Sequence, residues 1–173
     1  MVFAYYNRLS AKKQSVYRQS DAITAIRLPD PQPLRPAAQS LVDSLKSENR
    51  NAVQSLSQQI ADGIIGQLEV PPLRIQVLAA RPSDDWGELH GLYLPEEDGK
   101  TAKIQLWMRT AKHKRVVAYK SFLRTLLHEV CHHLDYELYK FPETFHTDGF
   151  YSRESSLLHQ LAPATDEPGK VED

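Results

Sequence analysis

The chain has 173 residues, of which 41% are hydrophobic and 25% charged, with a formal net charge of −1 at pH 7. This composition is ordinary for one globular domain with enough chain to bury a core. The near-zero charge lacks the electrostatic footprint of a nucleic-acid-binding protein, and the single cysteine, Cys131, excludes an internal disulfide and favours a reducing compartment.

The N-terminal ten residues lack a basic start followed by a long apolar run, so no signal peptide is expected. No stretch of the sequence reaches the roughly 18 apolar residues of a membrane-spanning helix. We therefore expect a cytoplasmic protein with no membrane partner.

Residues 1–36 form a block with its own composition. Ser10 is a predicted N-cap for a short helix that runs towards Ser20. Further along, closely spaced prolines predict an extended connector: Pro29, Pro31, Pro33 and Pro36. We expect this block to pack as an arm on the rest of the protein through Phe3, Tyr5 and Tyr6, with a partner-binding arm as the alternative.

Apolar residues at helical spacing predict a helix over residues 37–66 that packs behind a sheet: Leu41, Leu45, Ala52, Leu56, Ile60 and Ile64. Residues 47–51 are polar and mark a point where this helix can divide in two. Gly63 and Gly66 are expected to mark its end.

Three strands are predicted next. Residues 73–79 and 102–108 alternate between apolar and polar positions, and residues 89–94 are short and apolar. The pair Asp98-Gly99 is a turn signal, so residues 89–94 and 102–108 on either side of it are expected to form a hairpin. The basic residues 112–115 that follow are interpreted as a solvated connector, because they are few and lack interleaved aromatic residues.

A second helix is predicted across residues 116–138, which contain neither proline nor glycine. Its apolar residues recur at spacings of three and four: Phe122, Leu123, Leu126, Leu127, Val130, Leu134 and Leu138. Within this helix His128, Glu129 and His132 form the motif H-E-x-x-H. Residues four apart share one helix face, so the two imidazoles can meet at one zinc ion with the carboxylate beside them.

A catalytic zinc site needs a third protein ligand and an open position. Pro142 ends the helix and the chain returns through His146, the favoured third ligand. Glu154, in a helix predicted to reach Leu161, is the rival and would make a gluzincin-type site. His133 points about 100° away from His132 around the helix and is not expected to join them.

This pattern resembles the SprT-like (Spartan-like) zinc metalloproteases. The resemblance rests on His128-Glu129-x-x-His132, a gap, and then His146-x-x-x-Phe150, and it covers about residues 89–161. It implies that the three histidines are zinc ligands and that Glu129 is the catalytic base. The chain has Thr147 where family members often have glycine, and it lacks the cysteine-rich zinc ribbon that many of them carry.

The expected fold class is α+β: a small zincin-like metalloprotease domain over residues 37–162 with a backing helix and a short mixed or antiparallel sheet. Residues 103–108 are expected to be the edge strand beside the H-E-x-x-H helix, where an extended substrate peptide could pair. Residues 163–173 are expected to be a disordered acidic tail.

The expected function is zinc-dependent hydrolysis of a protein or peptide substrate, with Glu129 as general base. The alternative to catalysis is a zinc-binding interaction protein whose site is closed.

Asp135 is a candidate acceptor for the free ring nitrogen of a ligand histidine. Cys131 is expected to be a small buried residue. Candidate donors to the oxyanion are Tyr136, Tyr151 and Arg153. The sequence does not indicate an oligomeric state.

Overall fold

The computed structural model of the protein describes residues 2–84, 87–88 and 90–162. This part of the chain contains five α-helices: α1 (Ala11–Ala22), α2 (Arg35–Lys46), α3 (Arg50–Leu68), α4 (Tyr119–Glu137) and α5 (Asp148–Leu161). The strands are β1 (Leu73–Ala80), β2 (Ser83–Asp84), β3 (Gly87–Glu88), β4 (Gly91–Leu94) and β5 (Ala102–Arg109). The predicted α+β class is therefore confirmed. Within the described residues, no helix has the length and apolar character needed to cross a membrane.

The main sheet is mixed and has the strand order β1-β5-β4. The predicted hairpin is confirmed, because β4 pairs antiparallel with β5, and Asp98 and Gly99 in its turn have φ values of 49° and 76°. The predicted edge strand is wrong. Strand β5 lies in the centre because β1 pairs parallel to its other side, and β4 is the outer strand that contacts α4. One face of β5 is buried and the other is mostly half-buried, and such an alternation reports the two faces of a strand and not its place in the sheet.

Helix α3 lies against β1 of the sheet, and α2 packs on α3. The predicted division is confirmed at residues 47–49, where Asn49 caps α3 by accepting a hydrogen bond from the backbone N–H of Ala52 (3.1 Å). The predicted helix end at the two glycines is wrong, since α3 continues to Leu68. Gly63 instead allows Leu34 to pack directly against the backbone of α3, because a Cβ atom on Gly63 would lie 2.0 Å from Cδ2 of Leu34.

Helix α4 forms as predicted and buries a continuous apolar side in the core through Leu123, Leu126, Leu127, Val130 and Leu134. Pro142 lies in the loop after it, and α5 then packs against α4. Thr147 begins α5 as its N-cap, with Oγ1 accepting the backbone N–H of Phe150 (2.9 Å). Residues 119–161 therefore form a helical hairpin.

Helix α1 begins after its predicted cap, Ser10, and packs on α5. The connector after α1 is not extended throughout: Pro33 lies in a 3-10 helix, and Pro36 lies in the first turn of α2, where the fixed φ of proline suits a helix. Tyr5 and Tyr17 contact Phe145, at ring-centroid distances of 6.4 and 5.8 Å. The division into arm, domain and tail stays a prediction, and residues 163–173 lie outside the described chain.

Candidate metal centre

Three histidine rings meet at one point of the structure. Helix α4 presents His128 and His132 from successive turns, and the loop before α5 supplies His146. Their Nε2 atoms are separated by 3.3 Å (His132 to His128), 3.1 Å (His128 to His146) and 3.0 Å (His146 to His132). The structure therefore brings together the three residues predicted to be ligands.

The buried ring of Phe150 packs beneath all three histidines, with centroid distances of 5.0 Å to His128, 4.7 Å to His132 and 5.2 Å to His146. Phe150 is in the first turn of α5 and is fully buried. An apolar ring at this position excludes water from the side of the histidines that faces the core.

Behind His128 lies Glu154. Its Oε1 is 2.7 Å from Nδ1 of His128, and its Oε2 accepts a hydrogen bond of 2.8 Å from Arg124. Because a carboxylate accepts, Nδ1 of His128 carries a hydrogen, and in the neutral imidazole Nε2 then presents its lone pair to the other rings. The structure thus places Glu154 against the outer nitrogen of a histidine, and not in the group with the three Nε2 atoms.

Behind His132 lies a longer series of hydrogen bonds. Nδ1 of His132 is 2.8 Å from Oγ1 of Thr144, which itself donates to Oδ2 of Asp135 at 2.7 Å. A hydroxyl has one hydrogen, so Nδ1–H of His132 donates to Thr144 and Nε2 keeps its lone pair. Asp135 was a candidate for a direct bond to a ligand histidine, with an exposed helix aspartate as the alternative, and the structure shows neither, because Asp135 is buried and contacts Thr144. Thr144, brought in by the returning loop, stands between them, and no local sequence signal indicates it.

Burial keeps two of the rings neutral. It lowers the pKa of His132 to about 3, and the neighbouring His128 and His146 lower it further. The pKa of His146 is lowered by burial and then by His128. At neutral pH these two rings are therefore uncharged, which is the form that binds a metal ion.

Glu129 lies beside the three rings with 6% of its surface exposed. Burial raises its pKa to about 7, although the nearby His128 and a hydrogen bond from the backbone N–H of Tyr93 oppose this shift. Strand β4 passes very close to it: a Cβ atom on Gly91 would lie 3.0 Å from both Cγ and Oε1 of Glu129. Gly91 is a site residue that the sequence analysis missed, and a glycine inside a short apolar strand is a signal of such close approach.

His133 lies outside the group of three rings, as predicted. Its Nε2–H donates to the carbonyl of Pro71 (2.8 Å), so its Nδ1 accepts from the hydroxyl of Tyr93 (2.7 Å). Tyr93 is thus held by His133 through its side chain while its backbone N–H donates to Glu129. His133 anchors strand β4 over the site.

An open cavity of about 640 Å³ lies over the three rings, between β4 and α4. Among the candidate oxyanion donors, Tyr136 and Tyr151 line this cavity. Arg153 does not: it is fully buried, and its guanidinium donates to the carbonyls of Ser20 and Ile23. Its prediction as an oxyanion donor is wrong, because it lies two residues after Tyr151 and so on another face of α5.

Comparisons of this chain with protein-family models, with curated proteins and with solved structures found no match. The resemblance to SprT-like proteases stays a prediction that rests on the residues named above.

Proposed function

We propose that this protein is a zinc-dependent metallopeptidase with a zincin-like fold, similar to the SprT-like family, and that His128, His132 and His146 hold the ion. The observation that carries the proposal is the convergence of three Nε2 atoms, 3.0–3.3 Å apart. Ligand atoms about 2.0–2.1 Å from a tetrahedral zinc ion are themselves separated by about 3.3 Å.

The chemistry of the donor set also fits zinc. In His128 and His132, Nδ1–H is committed to an acceptor behind the ring, so two Nε2 lone pairs face each other at 3.3 Å. Two lone pairs do not form a hydrogen bond, whereas a cation between them would satisfy both. Histidine ligands whose outer ring nitrogen donates to a nearby acceptor are typical of zinc sites, and His128 and His132 have this arrangement.

When bound, zinc would supply a Lewis acid that activates water and polarises the substrate carbonyl. Glu129 would take the proton from that water and pass it to the leaving amine. Its raised pKa of about 7 suits a group that accepts and returns a proton near neutral pH. The backbone N–H of Tyr93 fixes the orientation of this carboxylate. Tyr136 or Tyr151 would donate to the oxyanion from the cavity wall.

The shape of the cavity supports a protein or peptide substrate. Strand β4 is one of the two outer strands of the main sheet and also lines the cavity, through Gly91, Leu92 and Tyr93. An extended peptide laid beside β4 would form main-chain hydrogen bonds and pass over the three histidines. A cytoplasmic location and the absence of a nucleic-acid partner stay predictions.

The first experiment compares wild-type protein with Glu129→Gln, using unfolded casein as a generic substrate and elemental analysis for zinc. We expect the variant to keep one zinc ion per chain and to lose hydrolysis, because glutamine has nearly the same shape but does not accept the proton. Turnover that survives in the variant would remove Glu129 from the proposed role.

The second experiment tests the ligand set. We expect His146→Ala to lose zinc, whereas Glu154→Ala should keep it with an affinity weakened about 10–100-fold, because Glu154 only orients His128. The reverse result would favour the gluzincin-type site.

A third experiment tests whether one coordination position of the zinc is open. A hydroxamate that binds the zinc-loaded protein would support an open position, and failure to bind would favour a closed zinc site in a non-catalytic interaction protein.

A further inference from the structure

A buried ion pair lies behind the series of hydrogen bonds from His132. Nη2 of Arg153 donates to Oδ1 of Asp135 at 2.9 Å, and neither side chain is exposed to solvent. Arg153 also donates to three acceptors on the last turn of α1 and the residue after it: the carbonyl of Ser20 (2.6 Å), its hydroxyl (3.0 Å) and the carbonyl of Ile23 (2.7 Å). One guanidinium therefore joins α1 to the residues behind a ligand histidine.

The position of α1 relative to Arg153 is closely defined by backbone contacts. The backbone N–H of Gly149, in the first turn of α5, donates to Oδ1 of Asp21 at 3.1 Å. A Cβ atom on Gly149 would lie 2.5 Å from the carbonyl oxygens of both Ser20 and Asp21. The two helices thus meet at backbone distance, which leaves the end of α1 no room to shift towards α5.

The chemistry explains why the carbonyls come from the end of a helix. The last carbonyls of a helix lack partners within it and carry the negative end of its dipole, so they are suited to a buried cation. A buried arginine without acceptors is strongly destabilising. Arg153 is therefore held between α1 on one side and Asp135 on the other.

We propose that Arg153 is a positioning residue for the metal ligand His132 and that α1 is thereby part of the metal centre. The path runs from α1 through Arg153, Asp135 and Thr144 to Nδ1 of His132. It fixes the rotation of the imidazole and the nitrogen that carries its hydrogen. This inference rests on the proposed zinc site, and it assigns a role in that site to residues 1–36, which the sequence predicted to be an arm.

A purely structural ion pair is the competing explanation, and the chain offers a matched control for it. Gln160 is on the same helix as Arg153, and its side chain also forms hydrogen bonds with backbone groups of the N-terminal segment. It donates to the carbonyl of Ile26 (2.7 Å) and accepts the N–H of Leu28 (2.9 Å). Gln160→Leu removes a comparable anchor while leaving the path to His132 intact.

The test measures zinc affinity by competition with a chromophoric chelator, on full-length wild type, Arg153→Met, Thr144→Val and Gln160→Leu. We expect Arg153→Met and Thr144→Val to bind zinc about 10–100-fold more weakly than wild type, which is the usual effect of losing an outer partner of a ligand histidine. Gln160→Leu should bind as wild type does. The visible spectrum of the cobalt-loaded protein should change in Arg153→Met and Thr144→Val only, because it reports ligand geometry and not stability.

Several outcomes would overturn the inference. Folded Arg153→Met with wild-type affinity would show that the ion pair does not position His132, and equal weakening by Gln160→Leu would show a general effect of loosening the N-terminal segment. If Arg153→Met does not fold, Thr144→Val decides, because it interrupts the path but retains the ion pair. A wild type that binds no zinc refutes the proposed function and this inference with it, whereas tight wild-type binding with unchanged Thr144→Val affinity refutes the inference alone.

Discussion

Replacing Gly91 with alanine should displace Glu129, the proposed general base, while leaving the three proposed histidine ligands in place. The added Cβ atom would lie 2.9 Å from Cγ2 of Thr125 and 3.0 Å from Cγ and Oε1 of Glu129. Carbon atoms in favourable contact are about 3.5–4.0 Å apart, so the contacts between carbons are too short by about 0.5–1 Å. The β-branched Thr125 has restricted rotamers, and its hydroxyl donates to the carbonyl of Ser121 (2.9 Å), so it does not turn away easily.

The magnitude follows from this overlap. Extra atoms in a packed site cost about 1–3 kcal/mol, or roughly 2–12 °C in Tm for a chain of this size. Displacement of Glu129 by several tenths of an ångström should lower kcat about 10–100-fold, since a misplacement of about 1 Å can cost 100-fold. Zinc affinity should not change, because the added Cβ atom has no histidine atom among its three nearest neighbours.

The assays are thermal unfolding, chelator competition and peptidase activity. Gly66→Ala is the matched control: a Cβ atom there meets nothing within 4 Å, and alanine should stabilise α3 by up to about 1 kcal/mol. Adding Thr125→Ser to Gly91→Ala removes the closest methyl group and should recover part of the lost Tm. Wild-type kcat and Tm in Gly91→Ala would refute the reasoning that β4 presses on Glu129.

Three further predictions concern buried groups. Because burial raises the pKa of Glu129 from 4.5 to about 7, the unfolded chain loses this proton first, and the metal-free protein loses stability as pH rises from about 4.5 to 7. Glu129→Gln should therefore raise the free energy of unfolding of the metal-free protein by about 1–3 kcal/mol at pH 8 and change it little at pH 4. Denaturant titrations at the two pH values measure this difference, and equal effects at both would contradict the prediction. Gly63→Ala should lower Tm through its clash with Leu34, whose Cδ2 would lie 2.0 Å from the new Cβ, and a Tm at or above that of wild type would be evidence against the close packing. Cys131 is fully buried with a raised pKa, so a thiol reagent should label it only after denaturation, and rapid labelling of the native protein would disprove its burial.

Local patterns were sufficient for much of the fold. The spacing of apolar residues predicts α4, and helix geometry alone places His128 and His132 on one face, since both depend on contacts within a few residues. Asp98-Gly99 predicts the hairpin of β4 and β5 for the same reason, because the turn conformation is a property of those two residues. The break before α3 likewise follows from a polar segment with a capping Asn49.

Only the tertiary structure decided which groups meet across long sequence separations. After Pro142 nothing local specifies the direction of the chain, and that direction places His146 with the other two rings and Glu154 behind His128. Strand order is also a long-range property: β5 lies in the centre of the sheet, and β4 is the outer strand beside α4.

The same holds for the residues behind the site. Thr144 and Arg153 carry no pattern that marks them, and their partners Asp135 and Ser20 are up to 133 residues away in sequence. The sequence by itself determined the two histidines and the glutamate of one helix, because a helix is built from near neighbours. The third ring, the close approach of Gly91 and the link to α1 depend on how distant segments pack, and that is decided by the whole folded chain.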